Sequence, residues 1–562
     1  MGGQAYKYNQ LDDDPIMSDG SAAFTGIVSA VNPRMLEASE LAGLTNGDIG
    51  AYGTAGMRPP ARLIANNLSD DFYVSHDGVA YDGYGLRYVG KDYISDTQKI
   101  WAFKGTTPKI FFFVEGKLYL ADSLSAETWG EPAIEDINPN AVVSAAQLAG
   151  KAYFVDESKL RVYEESGNKW TFAEVAKFRK HSTDGETLID GEPIPPASCI
   201  ETHVERLCMA GISDASYDPA TVFFSDYLDG KTWLITESIQ VGSDGDAIIA
   251  LKSWRNNTLL VFKAGSVWAI VCDPLVDDSG NKLSPAYWTV NKISDSYGVV
   301  ARETIAQVGN DVWFLSKRGV CSVQRAVAAD ENEMQALPIS TPIQNYIDRI
   351  NWEYAYRSSA VYFKDRYFLS IPIDGAMSPN VVLVYNTIMQ KWQGVWDGTA
   401  MRATGYTKVI ENGIENLVWR THDGTAYRFI DDDNESAYDL CEGYQEYFEQ
   451  CIITKSYVWE APFNQKRALE IELEFYDSKG VAALFVNCDG KGEIPVAENM
   501  AISTAKHLPL KLPFSLCERN TTNFKYNLRT LPRFREIQVI IKTRNGRARL
   551  RNININAIVM PV

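Results

Sequence analysis

A chain of 562 residues exceeds what one ordinary hydrophobic core supports, so it divides into several domains unless a repeat absorbs the length. The composition is 45% hydrophobic and 12% aromatic with 22% charged, which excludes a mainly disordered chain, and 29 Tyr, 23 Phe and 13 Trp favour pleated sheet. With 54 Lys plus Arg against 72 Asp plus Glu, the net charge of −18 excludes a tight clamp on nucleic acid, although an acidic wall would let a polyanion slide past without sticking.

The opening MGGQAYKYNQLDDDP lacks the charged region and apolar core of an export signal and has no stretch able to span a bilayer. Tyr6 stands where a myristoylation signal needs Ser or Thr. Residues 1–70 are rich in Gly, Asp, Asn and Pro and read as an extended N-terminal arm. Its apolar patch from Phe24 to Val31 and the run RPPARLI from Arg58 to Ile64 are expected to dock on a folded surface.

Across residues 71–440 one unit recurs: a β-rich run, a turn with Gly, Asp or Asn, a second β-rich run, and often a closing Trp. Copies are IFFFVEGKLYLADSLSAETW from Ile110, KAYFVDESKLRVYEESGNKW from Lys151, TVFFSDYLDGKTW from Thr221, TLLVFKAGSVWAIV from Thr258, DVWFLSKRGVCSV from Asp311 and LVWRTHDGTAYRF from Leu417. A longer copy runs from Val361 to Trp396. A hairpin with apolar faces cannot bury them alone, so successive units must pack face to face, and the expectation is a β-propeller of about six to eight blades. Trp129, Trp170, Trp233 and Trp392 are expected to pack between blades.

Residues 441–562 follow a different grammar. Leu469, Ile471, Leu473 and Phe475 alternate with Glu470, Glu472 and Glu474, the pattern of a half-buried strand in a C-terminal antiparallel β-domain, read as sandwich-like. In the last segment Arg547, Arg549 and Arg551 share a face that then becomes Ile553, Ile555 and Ala557. A regular strand cannot change a charged face into an apolar one, so a bulge or a change of environment is expected near Arg551. The three arginines are read as a subunit interface, with DNA phosphates as the alternative partner for this basic stretch. The fold class is thus all-β: an arm, a propeller and a C-terminal β-domain.

The stretch SDSYGVVARETIAQVGNDVWFLSKRGVCSV, with WRNNTLLVFKAGSVWAI and RLCMAGISDASYDPATVFFSDYLDGKTW before it, resembles the propeller of the nozzle proteins of short-tailed (podovirus-type) phage tails, also called tail hub or packaged-DNA stabilisation proteins. TKSYVWEAPFNQKRALEIELEF is similar to the passage from propeller to C-terminal domain in that family, and together these phrases cover roughly residues 200–475. The resemblance implies a structural virion protein, made in the host cytoplasm, that forms a cyclic homo-oligomer, commonly a hexamer. Such a ring sits below a portal and adaptor, meets tail fibre or spike proteins, and encloses a channel through which genomic double-stranded DNA is retained and then released without sequence-specific binding. The acidic Asp12, Asp13 and Asp14 have no counterpart in that pattern.

Catalytic chemistry finds no motif. His76, His181, His203, His422 and His507 are scattered outside any HExxH or nucleophile-elbow setting, and no Walker loop or dinucleotide fingerprint occurs. Cys199, His203 and Cys208 have metal-capable atoms at a spacing that matches no zinc pattern. The remaining cysteines, Cys272, Cys321, Cys441, Cys451, Cys488 and Cys517, form no CxxC pair, so all eight read as reduced thiols. The turn from Tyr227 to Trp233 resembles a sialidase Asp-box but lacks its Ser, and the run Asp431-Asp432-Asp433-Asn434-Glu435 reads as a solvated loop ahead of a Ca²⁺ site. No enzyme activity, cofactor or metal is expected. A carbohydrate-binding or glycoside-hydrolysing propeller and a generic protein-binding propeller hub are the alternatives.

Overall fold

The run Phe111, Phe112 and Phe113 shows how this chain folds. Phe111 and Phe113 pack in one buried cluster with Val143, Phe154 and Tyr163, whereas Phe112 packs in another with Val409, Val418 and Ala426. Successive strand residues point to opposite faces, so a wholly apolar run means that both faces are covered. The computed structural model describes residues 16–50, 53–63, 97–104, 109–114, 116–124, 131–166, 169–182, 187–243, 245–273, 275, 283–328, 337–422, 425–429, 438–441, 444–503 and 521–560. Among them no helix is long and apolar enough to cross a membrane.

The described part of residues 97–429 is a succession of small antiparallel sheets. The first holds strands Thr97–Phe103, Lys109–Val114 and Lys117–Ala121, and the second runs from Ser144–Leu148 to Lys169–Glu174. The third contains Ala197–His203, Arg206–Ile212, Thr221–Asp226 and Asp229–Gln240, extended outward by the hairpin of Lys177–His181 and Leu188–Pro193. The fourth runs from Ile248–Trp254 to Thr289–Ser294, and the fifth from Ala306–Val308 to Gly319–Ser322. The sixth begins at Ser359–Phe363 and reaches Lys391–Trp396; the seventh begins at Ala403–Glu411 and includes Ile414–Thr421 and Ala426–Phe429.

Apart from the longer copy from Val361 to Trp396, which spans a whole sheet, the recurring hairpins lie inside larger sheets whose leading strands the repeat did not reveal. Two of those leading strands, Ser144–Leu148 and Ala306–Val308, are short and carry mainly small or polar residues without an aromatic, so they lack the signature of the strands beside them.

Consecutive sheets stack through buried clusters. Tyr153 and Val162 of the second meet Leu207, Phe223 and Trp233 of the third; Phe224 meets Leu259 and Val261 of the fourth; Phe262 meets Phe314 of the fifth. Trp313 meets Tyr367 and Tyr385 of the sixth, Phe368 and Trp396 meet Trp419 of the seventh, and the seventh returns to the first through Val409, Ile100 and Phe112. The last sheet packs on the first, so the arrangement is propeller-like. Of the tryptophans expected between units, Trp233 and Trp392 are fully buried, Trp170 stacks on Tyr163 at 4.8 Å, and Trp129 lies outside the described residues. Gly298 sits where the chain passes from the fourth sheet to the fifth, and a Cβ there would stand 2.1 Å from the carbonyl oxygen of Lys263. Only glycine allows that approach.

The arm and the C-terminal segment are woven together. Ile16–Ala22 pairs along Leu550–Val559, which pairs on its other edge with Lys466–Tyr476, and that strand pairs in turn with Thr521–Asn527. The facing sheet runs Glu40–Thr45, Gln450–Tyr457, Ile537–Arg547, Lys479–Cys488, Glu493–Ala501. Between the two sheets lie Ile471, Leu473, Phe475, Leu484, Val486, Val539, Ile541, Ile553 and Ile555. Glu40–Thr45 also pairs with Lys391–Trp396 through Thr45 and Val395, which makes this sheet continuous with the sixth sheet of the propeller-like array. Ala61–Leu63 likewise inserts between Ala426–Phe429 and Tyr438–Cys441. The described residues 16–50 and 53–63 thus supply strands to three sheets, where sequence reading expects docking of the patches from Phe24 to Val31 and from Arg58 to Ile64 on a folded surface.

Two bulges set the register. Opposite Leu550–Val559 the pairing jumps from Ala468 to Glu470, so Leu469 drops off the buried face and Ala468 takes its place. The regular alternation expected from Leu469 onward starts at Ile471. The second jump lies between Asn552, paired with Glu474, and Leu550, paired with Phe475; Arg551 is the extra residue. Before it Ala548 and Leu550 are buried, and after it Ile553, Ile555 and Ala557 are, so the bulge expected near Arg551 switches the parity of the strand.

Candidate functional site

At the axis of the propeller-like array the leading strands converge, and a group of charged side chains crosses between them. The short 3-10 turn Arg302–Thr304 precedes the leading strand of the fifth sheet and projects two side chains in different directions. Glu303 meets Lys99 of the first sheet, with Nζ 2.9 Å from Oε1 and 3.2 Å from Oε2. Arg302 donates to the carbonyl oxygen of Ser198 on the third sheet and, at 2.6 Å, to that of Val142 ahead of the second. Alongside, Lys252 of the fourth sheet pairs with Glu201 of the third at 2.8 Å.

Burial opposes the Glu303 charge, but Lys99, Arg420 and Arg302 outweigh it and hold its carboxyl down at about 2. Burial also pushes the Lys99 ammonium below its ordinary value, against the pull of Glu303. The Glu303 carboxylate and the Lys99 amine hold each other through two contacts, so they brace the first sheet against the fifth. Arg302 braces the fifth against the second and third. Four sheets are thereby cross-linked at the axis. Sequence reading passed over Lys99, Arg302 and Glu303. The one signal was Arg302-Glu303 standing within the otherwise apolar and small residues of YGVVARETIAQV.

The residues singled out from sequence are dispersed. Arg549 pairs with Asp477, Arg551 reaches Glu474 at 3.4 Å, and Arg547 sits on the strand neighbouring Lys479. Arg549 and Arg551 are thus both engaged within the chain, Arg549 on the turn that carries it from one sheet of the sandwich to the other and Arg551 at the bulge of the strand that follows. Cys199, His203 and Cys208 are buried in the third sheet, where burial pushes the Cys199 thiol up to about 11 and the His203 imidazole down to about 4. His203 Nδ1 lies 2.9 Å from Ser253 Oγ. Among the described residues no group of three or more His, Cys, Asp or Glu side chains converges as a metal site. In the turn resembling an Asp-box, Asp229 accepts from Lys231 N at 2.9 Å and Trp233 Nε1 donates to Gly230 O at 2.8 Å, so the turn is held by its own groups. Residues 431–435 lie outside the described residues.

A cleft of about 650 Å³ opens between the first and seventh sheets, lined in part by Phe103, Lys109, Asp122, Ile410 and Glu411. Its charges are largely satisfied: Lys109 pairs with Asp122, and Glu411 accepts from Leu124 N at 3.0 Å.

No known family's sequence profile matches the chain, and no curated protein matches it in sequence. Among solved structures, that of Saccharomyces cerevisiae Sqt1 is similar over 61% of this chain and 98% of its own, with 11% identity and a TM-score of 0.32.

Proposed function

We propose that this chain is a structural, non-catalytic subunit of a closed ring surrounding a DNA exit channel in a short-tailed phage tail, and that its seven stacked sheets are the seven blades of a closed propeller. The observation that carries this reading is the bracing of the propeller axis. Lys99, Arg302 and Glu303 tie the leading strands to one another across it, and the sandwich shares a continuous sheet with the sixth blade. A block stiffened in both places suits a static wall. In such an assembly DNA passes between subunits, past the acidic surplus, and not through the axis of any one propeller. The phrases of residues 200–475 that resemble nozzle proteins support the same reading. Mass photometry and negative-stain imaging, alone and with the adaptor, test it. Closed rings are the expected result, because a head-to-tail contact either closes or grows into filaments, and a chain that stays monomeric in both settings defeats the reading.

A protein-binding propeller hub is the second reading. It is favoured by the loop group in which Arg357 lies over the rings of Tyr354 and Tyr356 beside Met377, with Tyr356 58% and Met377 51% exposed. Arg with aromatic neighbours is the composition of binding hot spots. Monomers that capture a partner through this loop would favour the hub.

A further inference from the structure

The charge of the chain is divided unevenly. Residues 1–440 hold 59 acidic and 37 basic side chains, a net of −22, whereas residues 441–562 hold 13 acidic and 17 basic, a net of +4. Two copies, each of net charge −18, repel as wholes, so what favours a head-to-tail contact is the local facing of the basic end of one and the acidic part of the other within about a Debye length.

The positive part has a definite outlet. Lys466 donates from Nζ to the carbonyl oxygens of Ala461, Asn464 and Arg535 at 2.6, 2.9 and 2.6 Å, and its main chain bonds Phe534 in both directions. That buried ammonium staples the loop before Lys466–Tyr476 to the loop before Ile537–Arg547. Arg535 N also donates to Asp489 Oδ1 at 2.7 Å, which brings in the turn carrying Lys491. Arg34 adds the turn Pro33–Met35 by pairing with Glu536 at 2.6 Å.

At this end of the sandwich Arg529, Arg533 and Arg535 are exposed, and among the described residues none of their guanidinium groups takes part in an ion pair. Lys491 is 74% exposed beside them. Phe463 and Met35, on the same stapled loops, are 82% and 78% exposed, more than any other large hydrophobic side chain described. Unpaired arginines around exposed apolar side chains make a surface that gains from being covered.

We propose that this end of the sandwich docks on the acidic propeller of a second copy, Phe463 and Met35 seating in the contact and Arg529, Arg533 and Arg535 meeting its carboxylates. The inference rests on the ring reading above and relocates its basic interface: Arg549 and Arg551 are spent within the chain, whereas the loop from Arg529 to Arg535 is not.

The test compares the wild-type chain with Arg529→Glu/Arg533→Glu/Arg535→Glu and with Phe463→Ser by mass photometry across salt concentrations, with thermal melts to show that the variants fold. The expected result is a wild-type ring that loosens as salt rises, and variants with unchanged melting that need at least about tenfold more protein to assemble. In mixed rings of isotope-labelled and unlabelled copies, zero-length cross-linking should join Lys491 to a carboxylate within residues 97–429 of the other copy. Variants that assemble at wild-type concentrations overturn the docking site and leave the ring standing. A wild-type chain that remains monomeric overturns the ring, and this contact with it. Variants that keep the ring but lose retention of a short DNA duplex overturn the contact in favour of phosphate binding.

Discussion

The guanidinium of Arg58 and the carboxylate of Asp439, 381 residues apart in the chain, meet through two hydrogen bonds of 2.9 and 2.6 Å with neither side chain exposed. The pair is closed on every side. Arg58 Nε donates to Asn46 Oδ1 at 2.9 Å, the Phe448 ring covers the guanidinium at 3.6 Å, and Asp439 Oδ1 accepts from Ala61 N at 2.8 Å. It locks the N-terminal strands to the segment that leaves the seventh sheet.

Removing one partner leaves a buried charge uncompensated. Asp439→Asn or Arg58→Met should therefore each lower stability by about 3–5 kcal/mol, while Arg58→Met with Asp439→Leu should cost less than the two single changes together. Chemical denaturation of the four proteins gives the coupling; additive losses would mean that the pair does not act as a unit.

The Glu303 carboxyl is held at about 2 in the folded chain, below its ordinary value of 4.5. A lowered carboxyl pKa stabilises the fold above the ordinary value, and that contribution is lost as pH falls through the window from about 4.5 to 2. It amounts to about 3 kcal/mol at neutral pH. Acid titration followed by circular dichroism should show a shallower loss of stability across this window in Glu303→Gln than in the wild type. Parallel curves would place the acid sensitivity elsewhere.

Burial raises the Cys199, Cys208 and Cys272 thiols, to about 11 for Cys199 and about 12 for Cys272. Since the thiolate is the nucleophile, iodoacetamide at pH 8 should leave these three unmodified in the native protein and label them after denaturation. Peptide mass spectrometry reads the outcome site by site, and prompt native labelling of Cys208 would contradict the packing of the third sheet on the fourth.

If the chain assembles as the proposed ring, acidic side chains should outnumber basic ones along its inner wall, with Arg547, Arg549 and Arg551 away from it. Every wall residue is repeated around a ring, so each Lys or Arg becomes a band of cations, and several bands would hold DNA with steep salt dependence. A map of the particle with lumen-facing residues counted by sign checks this; a mostly basic wall would refute it.

The residues by themselves determined the class of this protein, because aromatic and β-branched runs separated by turns have few uses other than strands buried on both faces. They also specified the bulge at Arg551, since a charged face cannot become an apolar one without a change of parity. Three things only the tertiary structure decided. Leading strands such as Ser144–Leu148 and Ala306–Val308 are short and lack aromatic residues, so their identity comes from neighbours that cover them and not from their own pattern. The partners of Lys99 and Arg58 lie 204 and 381 residues away, and no local signal encodes a pairing at that distance. The fate of the arginines was likewise hidden: Arg549 and Arg533 look alike in sequence, yet one faces Asp477 across a turn between sheets and the other stands exposed at the end of the sandwich. Spacing along the chain records which face a side chain takes, whereas the charge it meets there depends on which strands the fold brings alongside.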